Sequence, residues 1–297
     1  MTKASEPSPH ADLEARARLG RWLVMRTVTG SGAGHVGGPM SAMELLVALY
    51  FRVLEIRAED PDWADRDRFI LSKGHSAVGL YAVMAQRGYF PIEELATFDK
   101  GDSRLQGHPD MTRLPGLDAS TGSLGQGLAV GVGIALGARL RGRDFHTYVM
   151  LGDGECQEGM VWESALVAAR YRLGHLIVIV DDNGLQQFGW SLQDEPGARG
   201  DRSEPFPGGM LRAMFEGSGW RVIEIDGHDF GAIIGACAAA AEATPDSRPT
   251  AILARTIKGR GLSFTEGQHG WHARVPTSDE LEAARLELDI DAPGGPE

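Results

Sequence analysis

The sequence predicts an α/β fold: a doubly wound, mainly parallel sheet with helices on both faces. Three observations carry this. Short apolar runs at 69–71, 148–151, 176–180, 221–225 and 250–255 alternate with helix-length segments. Most of these runs end in Gly, Asp, Asn or His, the residues of loops that bind ligands at the carboxyl edge of such sheets. No long linker or repeated unit interrupts the alternation, so residues 12–288 read as one domain.

In order, residues 1–11 are polar with two prolines and read as a disordered arm. Apolar positions Leu13, Ala17, Trp22, Val24 and Val28 then predict an amphipathic helix. It runs into a glycine-rich stretch, 29–39, expected to be an open loop displaying His35. Ser41 is expected to cap a second helix, 42–53, with Glu44 completing a capping box. The strand at 69–71 ends in Ser72-Lys73-Gly74-His75-Ser76 and is followed by a helix at 77–87. A short helix is expected at 91–98, then an irregular segment at 99–117 that includes His108. Residues 121–127 open a helix of small residues reaching about 141. Its glycines at 127, 131, 133 and 137 leave bare surface for a close neighbour, within the chain or across an interface.

The stretch 146–189 reads as strand, tight loop, helix, strand, loop. In a right-handed βαβ unit both loops emerge at the same sheet edge. Asp153 and Asn183 can therefore be neighbours in space. A glycine pair after a strand usually offers bare backbone N–H groups to phosphate. An Asp between the glycines would repel phosphate unless a cation lies between them. Asp153 and the Asn183 amide are hard oxygen ligands of the kind that hold Mg²⁺ beside phosphate oxygens. This points to a metal-bridged diphosphate site; the plain alternative is a turn Asp-Gly and a capping Asn.

Residues 193–207 are charged and turn-rich. A helix is expected at 210–216, a strand at 221–225 leading to His228, a helix at 230–243 and a last strand at 250–255. Pro276 is expected to cap a final helix, 277–288, followed by a loose tail at 289–297.

Composition narrows the classes. A formal charge of −12 argues against nucleic acid or an anionic membrane as the main partner. The two cysteines, Cys156 and Cys237, do not make a CxxC-type zinc site, and a reduced, cytoplasmic setting is the expectation. Cys156 reads either as a reactive thiol near a helix start or as a small buried residue. The N-terminus has no apolar core for a signal peptide, and the longest apolar stretch, 128–136, is too short to span a bilayer. Of nine histidines, five directly follow glycine: His35, His75, His108, His175 and His228. His269 and His272 share another glycine-containing loop. Without HExxH or Cys–His pairing these suit hydrogen bonding and proton transfer better than zinc.

The motifs GAGHVGGPMS, ILSKGHSAVGLYA, LQGHPD, STGSLGQGLAVGVGIA, GDGECQEGMVWESA, VDDNGLQQFG and ARTIKGRGLSF…GWH resemble the N-terminal half of transketolase, from about Leu13 to Leu288. The resemblance implies the thiamine diphosphate-binding fold and its diphosphate-binding domain. It implies thiamine diphosphate and Mg²⁺ as cofactors, with Asp153, Asn183 and the Leu185 carbonyl as metal ligands. Gly152, Gly154 and Glu155 would form the diphosphate loop, with His75 and His272 on its side of the cleft. Gly122, Ser123 and Leu124 would line the middle of the cofactor, and Ile257 and Lys258 would flank it. His35 and His108 would meet substrate hydroxyls, His269 would add a polar contact, and Glu158 would face a partner subunit. The implied catalytic set is His35, His75, His108, His272 and Glu158.

Two departures bear on this. The larger family has proline where Ser123 stands and often where Val36 stands; both changes look like those of separately encoded N-terminal subunits. The pyrimidine-binding domain of a full-length transketolase has no counterpart here. The expectation is a subunit inactive alone, working with a separate C-terminal subunit in an α2β2 assembly. It would transfer a two-carbon ketol unit from a ketose or ketose phosphate to an aldehyde. Two alternatives stand beside it: the α subunit of a 2-oxo acid dehydrogenase or decarboxylase, and a non-catalytic cofactor-binding scaffold.

Overall fold

The computed structural model describes residues 8–187, 206 and 209–290. Most of the arm expected at 1–11, nearly all of the turn-rich segment at 193–207 and most of the tail at 289–297 lie outside the described residues. Five strands form one parallel sheet: β1 (Arg68–Leu71), β2 (Thr147–Gly152), β3 (Leu176–Asp182), β4 (Arg221–Asp226) and β5 (Thr250–Arg255). Their order is β1-β2-β3-β5-β4. In the β2–β3 register Gly152 stands beside Asp181, so the two carboxyl ends finish level and their loops meet.

Strand side chains alternate between two cores, as a pleat of period two requires. Phe69, Leu71, Tyr148, Met150, Ile177 and Ile179 face the helices α1 (Ala11–Ser31), α3 (Met43–Ala48), α4 (Ala77–Arg87) and α8 (Phe230–Ala241). Ile70, Val149, Leu151, Val178 and Val180 face α5 (Gln126–Leu140), α6 (Gly159–Arg170) and α7 (Met210–Gly217). The sheet is thus covered on both sides, which is why its inner strands read as unbroken apolar runs. No helix among the described residues is long and apolar enough to cross a membrane.

The glycines of α5 divide by face. A Cβ on Gly127 would come within 2.8 Å of the Ser72 Cα, and one on Gly131 within 2.5 Å of the Val149 side chain. These two glycines let the helix lie directly on β1 and β2. Gly133 and Gly137 point away, with nothing within 4 Å.

Three local expectations are corrected. α1 continues to Ser31, and 37–41 form a short helix, α2 (Gly37–Ser41), so the open part of the first glycine-rich stretch is only 32–36. The cause is burial: Val36 and every residue of α2 pack against the core or the site, so a loop there would strand polar backbone. Ser41 caps nothing. Its hydroxyl donates to the Gly38 carbonyl and the Asp181 carboxylate, while Glu44 accepts from Arg21 and His228. The last helix, α9 (Ser278–Glu287), is capped by Thr277 with Glu280 in a capping box; Pro276 precedes the cap.

Candidate active site

The loops after β1, β2, β3 and β5 enclose a cavity of about 440 Å³. Its floor is charged and buried. Lys73, next to the end of β1, lies 2% exposed beneath the sheet edge; its ammonium donates to the Gly38 carbonyl and pairs with the Asp181 carboxylate. Asp181 also accepts from the hydroxyls of Ser41, at 2.6 Å, and Thr256. Burial pushes this carboxyl up, but Lys73 and the hydroxyls outweigh it and hold Asp181 below its ordinary range.

Asp153 has a different environment. Its two oxygens accept backbone N–H bonds from Gly154 at 2.8 Å and Gly184 at 2.6 Å, which ties the β2 loop to the β3 loop. Burial first, then the Asp181 charge, push its carboxyl up to about 7 despite those bonds. Such a group is stabilised as an anion by a cation placed against it. The neighbouring oxygens suit a hard cation. Asn183 Oδ1 accepts from the Leu185 N–H at 3.1 Å, and the Leu185 carbonyl accepts from Lys258 Nζ at 3.2 Å. Carboxylate, amide and carbonyl oxygen together are a Mg²⁺-type donor set. Among the described residues there is no cluster of three or more His, Cys, Asp and Glu side chains arranged for a metal.

Glu155 turns inward. It accepts from the Ser72 hydroxyl at 2.5 Å and from the N–H groups of Gly125 at 2.9 Å and Gly152 at 3.1 Å. One carboxylate thus fastens three loops, and it spends its oxygens doing so. The N–H groups of Gly152 and Gly154 are likewise engaged by Glu155 and Asp153. The glycines of this loop therefore offer space for a ligand, while cationic and imidazole N–H groups supply the donors.

Three imidazoles form a triangle in the same cavity. Ring centroids lie 5.2 Å apart for His35 and His75, 5.1 Å for His35 and His272, and 5.1 Å for His75 and His272. His108 stands at the mouth, 6.4 Å from His35. Burial, then neighbouring cations and imidazoles, push His75 well below the ordinary imidazole range and His272 down to about 3. Lys258 Nζ contacts His272 Nδ1 at 3.0 Å and donates to the Gln186 carbonyl at 2.9 Å. An ammonium has no lone pair, so Nδ1 is the acceptor and the His272 proton sits on Nε2. Burial drops Lys258 itself to about 8.

The cavity gathers His35, His75, His108, His272, Gly122, Leu124, Gly152, Asp153, Gly154, Glu155, Glu158, Asn183, Leu185 and Lys258. Ser123 and Ile257 do not line it. Ser123 is exposed, and Ile257 faces a separate groove at the ends of β4 and β5. His269 is exposed and also absent from the lining. Cys156 is fully buried, and burial pushes its thiol well above the ordinary range, which removes the reactive-thiol reading. His146 and His175 stack on each other near the amino ends of β2 and β3, away from the cavity.

Lys73 and Asp181 escape the sequence reading, as do Ser41, Thr256 and the mouth residues Gln157, Gln186 and Gln187. The signal for the first two was present: a lysine directly after an apolar strand, and an acid at the end of another. Each looked like ordinary loop polarity, because nothing in one sequence says that the two pair.

Residues 14–294 match the family described as transketolase, thiamine diphosphate binding domain. A 6-deoxy-6-sulfo-D-fructose transketolase subunit of Clostridium sp. is 41% identical, the match covering 94% of this chain and 96% of that one. An apulose-4-phosphate transketolase subunit of Actinobacillus succinogenes is 38% identical, covering 93% and 96%. Full-length relatives match over less of their length: mouse transketolase is 38% identical, covering 84% of this chain and 38% of its own. Among solved structures, the Pichia stipitis transketolase complex with sedoheptulose 7-phosphate superposes with a TM-score of 0.84 at 30% identity, covering 94% of this chain and 41% of that one.

Two outcomes follow from the site. Lys73→Met leaves Asp181 buried without its cation, and urea unfolding should show a loss of about 3–5 kcal/mol. The double change Lys73→Met/Asp181→Asn should recover most of that loss; no recovery would mean that charge is not the cause. The neutral imidazoles give a pH outcome. Because His272 is depressed from 6.5 to about 3, its contribution to stability is fully present above pH 6.5 and is lost as pH falls through that window. Imidazole NMR should show His272 unprotonated down to about pH 5 and His75 titrating well below an ordinary His near 6.5; titration of both near 6.5 would contradict the neutral assignment.

Proposed function

Since the chain belongs to the family of the transketolase thiamine diphosphate binding domain, we propose that it is the N-terminal subunit of a two-subunit transketolase. It moves a two-carbon ketol unit from a ketose or ketose phosphate to an aldehyde acceptor. One arrangement carries the reading: a buried carboxyl, Asp153, with Asn183 and the Leu185 carbonyl beside it, shares one cavity with a triangle of neutral imidazoles. The relatives that match over nearly their whole length are transketolase subunits, which favours this reading over a 2-oxo acid dehydrogenase component or a scaffold.

Asp153, Asn183 and the Leu185 carbonyl would hold Mg²⁺. Thiamine diphosphate, when bound, supplies the carbanion-stabilising centre that no protein side chain provides. The chain's part is binding, orientation and proton handling. The His272 Nε2–H offers a donor to anionic oxygens at the cavity floor, and Lys258, whose three N–H groups go to the Leu185 and Gln186 carbonyls and His272, adds its positive charge. His75, neutral and buried, can donate or accept one hydrogen bond without bringing a charge. His35 and His108, nearer the mouth, suit substrate hydroxyl and carbonyl oxygens, where imidazoles move protons near neutral pH. Residues 12–288 serve as one diphosphate-binding domain.

A partner polypeptide completes the site in this reading. Glu158 and Met160 are exposed at the cavity end of α6. From there an apolar surface continues over two helices packed side by side: Val130 and Leu140 on α5, Leu166 and Val167 on α6, with Leu140 87% exposed. Bare Gly133 and Gly137 share the outward side of α5. Exposed apolar residues of this number mark a surface that another chain covers. A pyrimidine-binding C-terminal subunit fits that role, in an assembly of two copies of each chain, and Glu158 would face it.

The experiment is purification with the co-expressed partner chain, followed by a two-carbon transfer assay over ketose and ketose-phosphate donors, sulfonated ones included. Activity is expected only when both chains, thiamine diphosphate and Mg²⁺ are present. Asp153→Asn should abolish it while the assembly and the fold persist. Full activity of this chain alone, or of the Asp153→Asn assembly, would contradict the reading.

A further inference from the structure

The segment 256–261, after β5, carries Lys258 into the cavity, yet much of what holds it lies on the far side. Arg21, from α1, donates through Nε to the Arg260 carbonyl at 2.6 Å and through Nη2 to Glu44 Oε2 at 2.6 Å. Glu44, on α3, also contacts His228 Nδ1 at 3.0 Å through the same oxygen. His228 follows β4, and its Nε2 lies 2.9 Å from the Ile257 nitrogen. The side chains of Arg21, Glu44 and His228 are only 7%, 10% and 11% exposed.

The proton positions follow from donor chemistry. A backbone N–H can only donate, so His228 Nε2 must be an unprotonated acceptor. The ring proton therefore sits on Nδ1, where the Glu44 carboxylate receives it. Arg21 holds that carboxylate as an anion: burial pushes Glu44 up, but Arg21 and His228 outweigh it and keep it below the ordinary range. The arginine fixes the acid, the acid fixes the tautomer, and the tautomer leaves a lone pair aimed at the N–H one residue before Lys258.

None of these three side chains lines the cavity. Two of them nonetheless grip the segment at Ile257 and Arg260, on either side of the lysine that bonds the Leu185 and Gln186 carbonyls and His272. We infer that His228 is a positioning residue, oriented by Arg21 and Glu44, that sets Lys258 in the cofactor cavity through the Ile257 N–H. The inference rests on the transketolase reading only for what Lys258 then binds.

The test compares wild type, His228→Leu, His228→Gln, Lys258→Met and the double variant His228→Leu/Lys258→Met. Two measurements are made on the chain co-purified with its partner: amide hydrogen exchange over 255–261, and thiamine diphosphate affinity at fixed Mg²⁺, with circular dichroism as the check on folding. In His228→Leu the Ile257 amide should exchange faster, and affinity should fall about tenfold or more, as when a ligand-orienting partner is lost. His228→Gln, whose amide oxygen can take the place of Nε2, should restore most of both. The double variant should bind no worse than Lys258→Met, because His228 acts through that lysine. A purely structural role would make the two losses additive and would not single out the glutamine rescue. Unchanged exchange at Ile257, unchanged affinity, or additive losses would overturn the inference. Wild type that binds no thiamine diphosphate would instead overturn the functional reading, and exchange at Ile257 would then decide the inference alone.

Discussion

The buried ion pair between Lys73 and Asp181 is the constraint on which the site depends. Both groups have lost nearly all contact with water, and an unpaired charge there would be severely destabilising. The pair therefore fixes where β1 and β3 end relative to each other, and the Gly38 carbonyl on Lys73 and the Ser41 hydroxyl on Asp181 bring in α2. Glu155 repeats the device one loop away, tying Ser72, Gly125 and Gly152. These bonds hold the carboxyl edge in one geometry without a ligand. They also use up Lys73, so the direct hydrogen bonds to Asp153 are two backbone N–H groups, and burial still pushes its carboxyl up to about 7. A cation beside such a group would favour its charged form.

The layered fold was legible because its period-two and helical patterns are long and clean. The strands at 69–71, 148–151, 176–180, 221–225 and 250–255 fall within the observed strands, and the helix at 77–87 matches α4 residue for residue. The errors lie where tertiary contact overrides a local signal. Ser41 and Glu44 have the spacing of a capping box, yet each is drawn to a charged partner more than twenty residues away in sequence: Asp181 for Ser41, Arg21 for Glu44. Glycines in 29–39 suggest a loop, yet tight packing against Lys258, Ser76 and His75 needs Gly37 and Gly38 inside a helix.

The candidate site was legible to a similar depth. Asp153 stood out because an acid is wrong for phosphate, and that misfit is chemical rather than positional. Four histidine loops, far apart in sequence, meet in one cavity: His75 and His272 follow β1 and β5, whose carboxyl ends share one edge, His108 lies in the β1–β2 connection, and His35 enters on the turn between α1 and α2, before any strand. His228 sat on the same kind of glycine loop and turned instead toward Glu44. The difference lies in which strand precedes it: β4 is the edge strand beyond β5, on the side away from β2 and β3 whose loops hold Asp153 and Asn183, so its loop meets the 256–261 segment instead. Sequence carries the residue types; strand order, which one sequence does not state, decides which of them meet.

The central proposal is that Asp153 would hold a divalent cation without which thiamine diphosphate does not bind. The most direct measurement is calorimetric titration of the metal-free complex of this chain and its partner with thiamine diphosphate, with Mg²⁺ and then with EDTA in its place. The account predicts binding with Mg²⁺ and none detectable with EDTA. Equal affinity in the two titrations would contradict it.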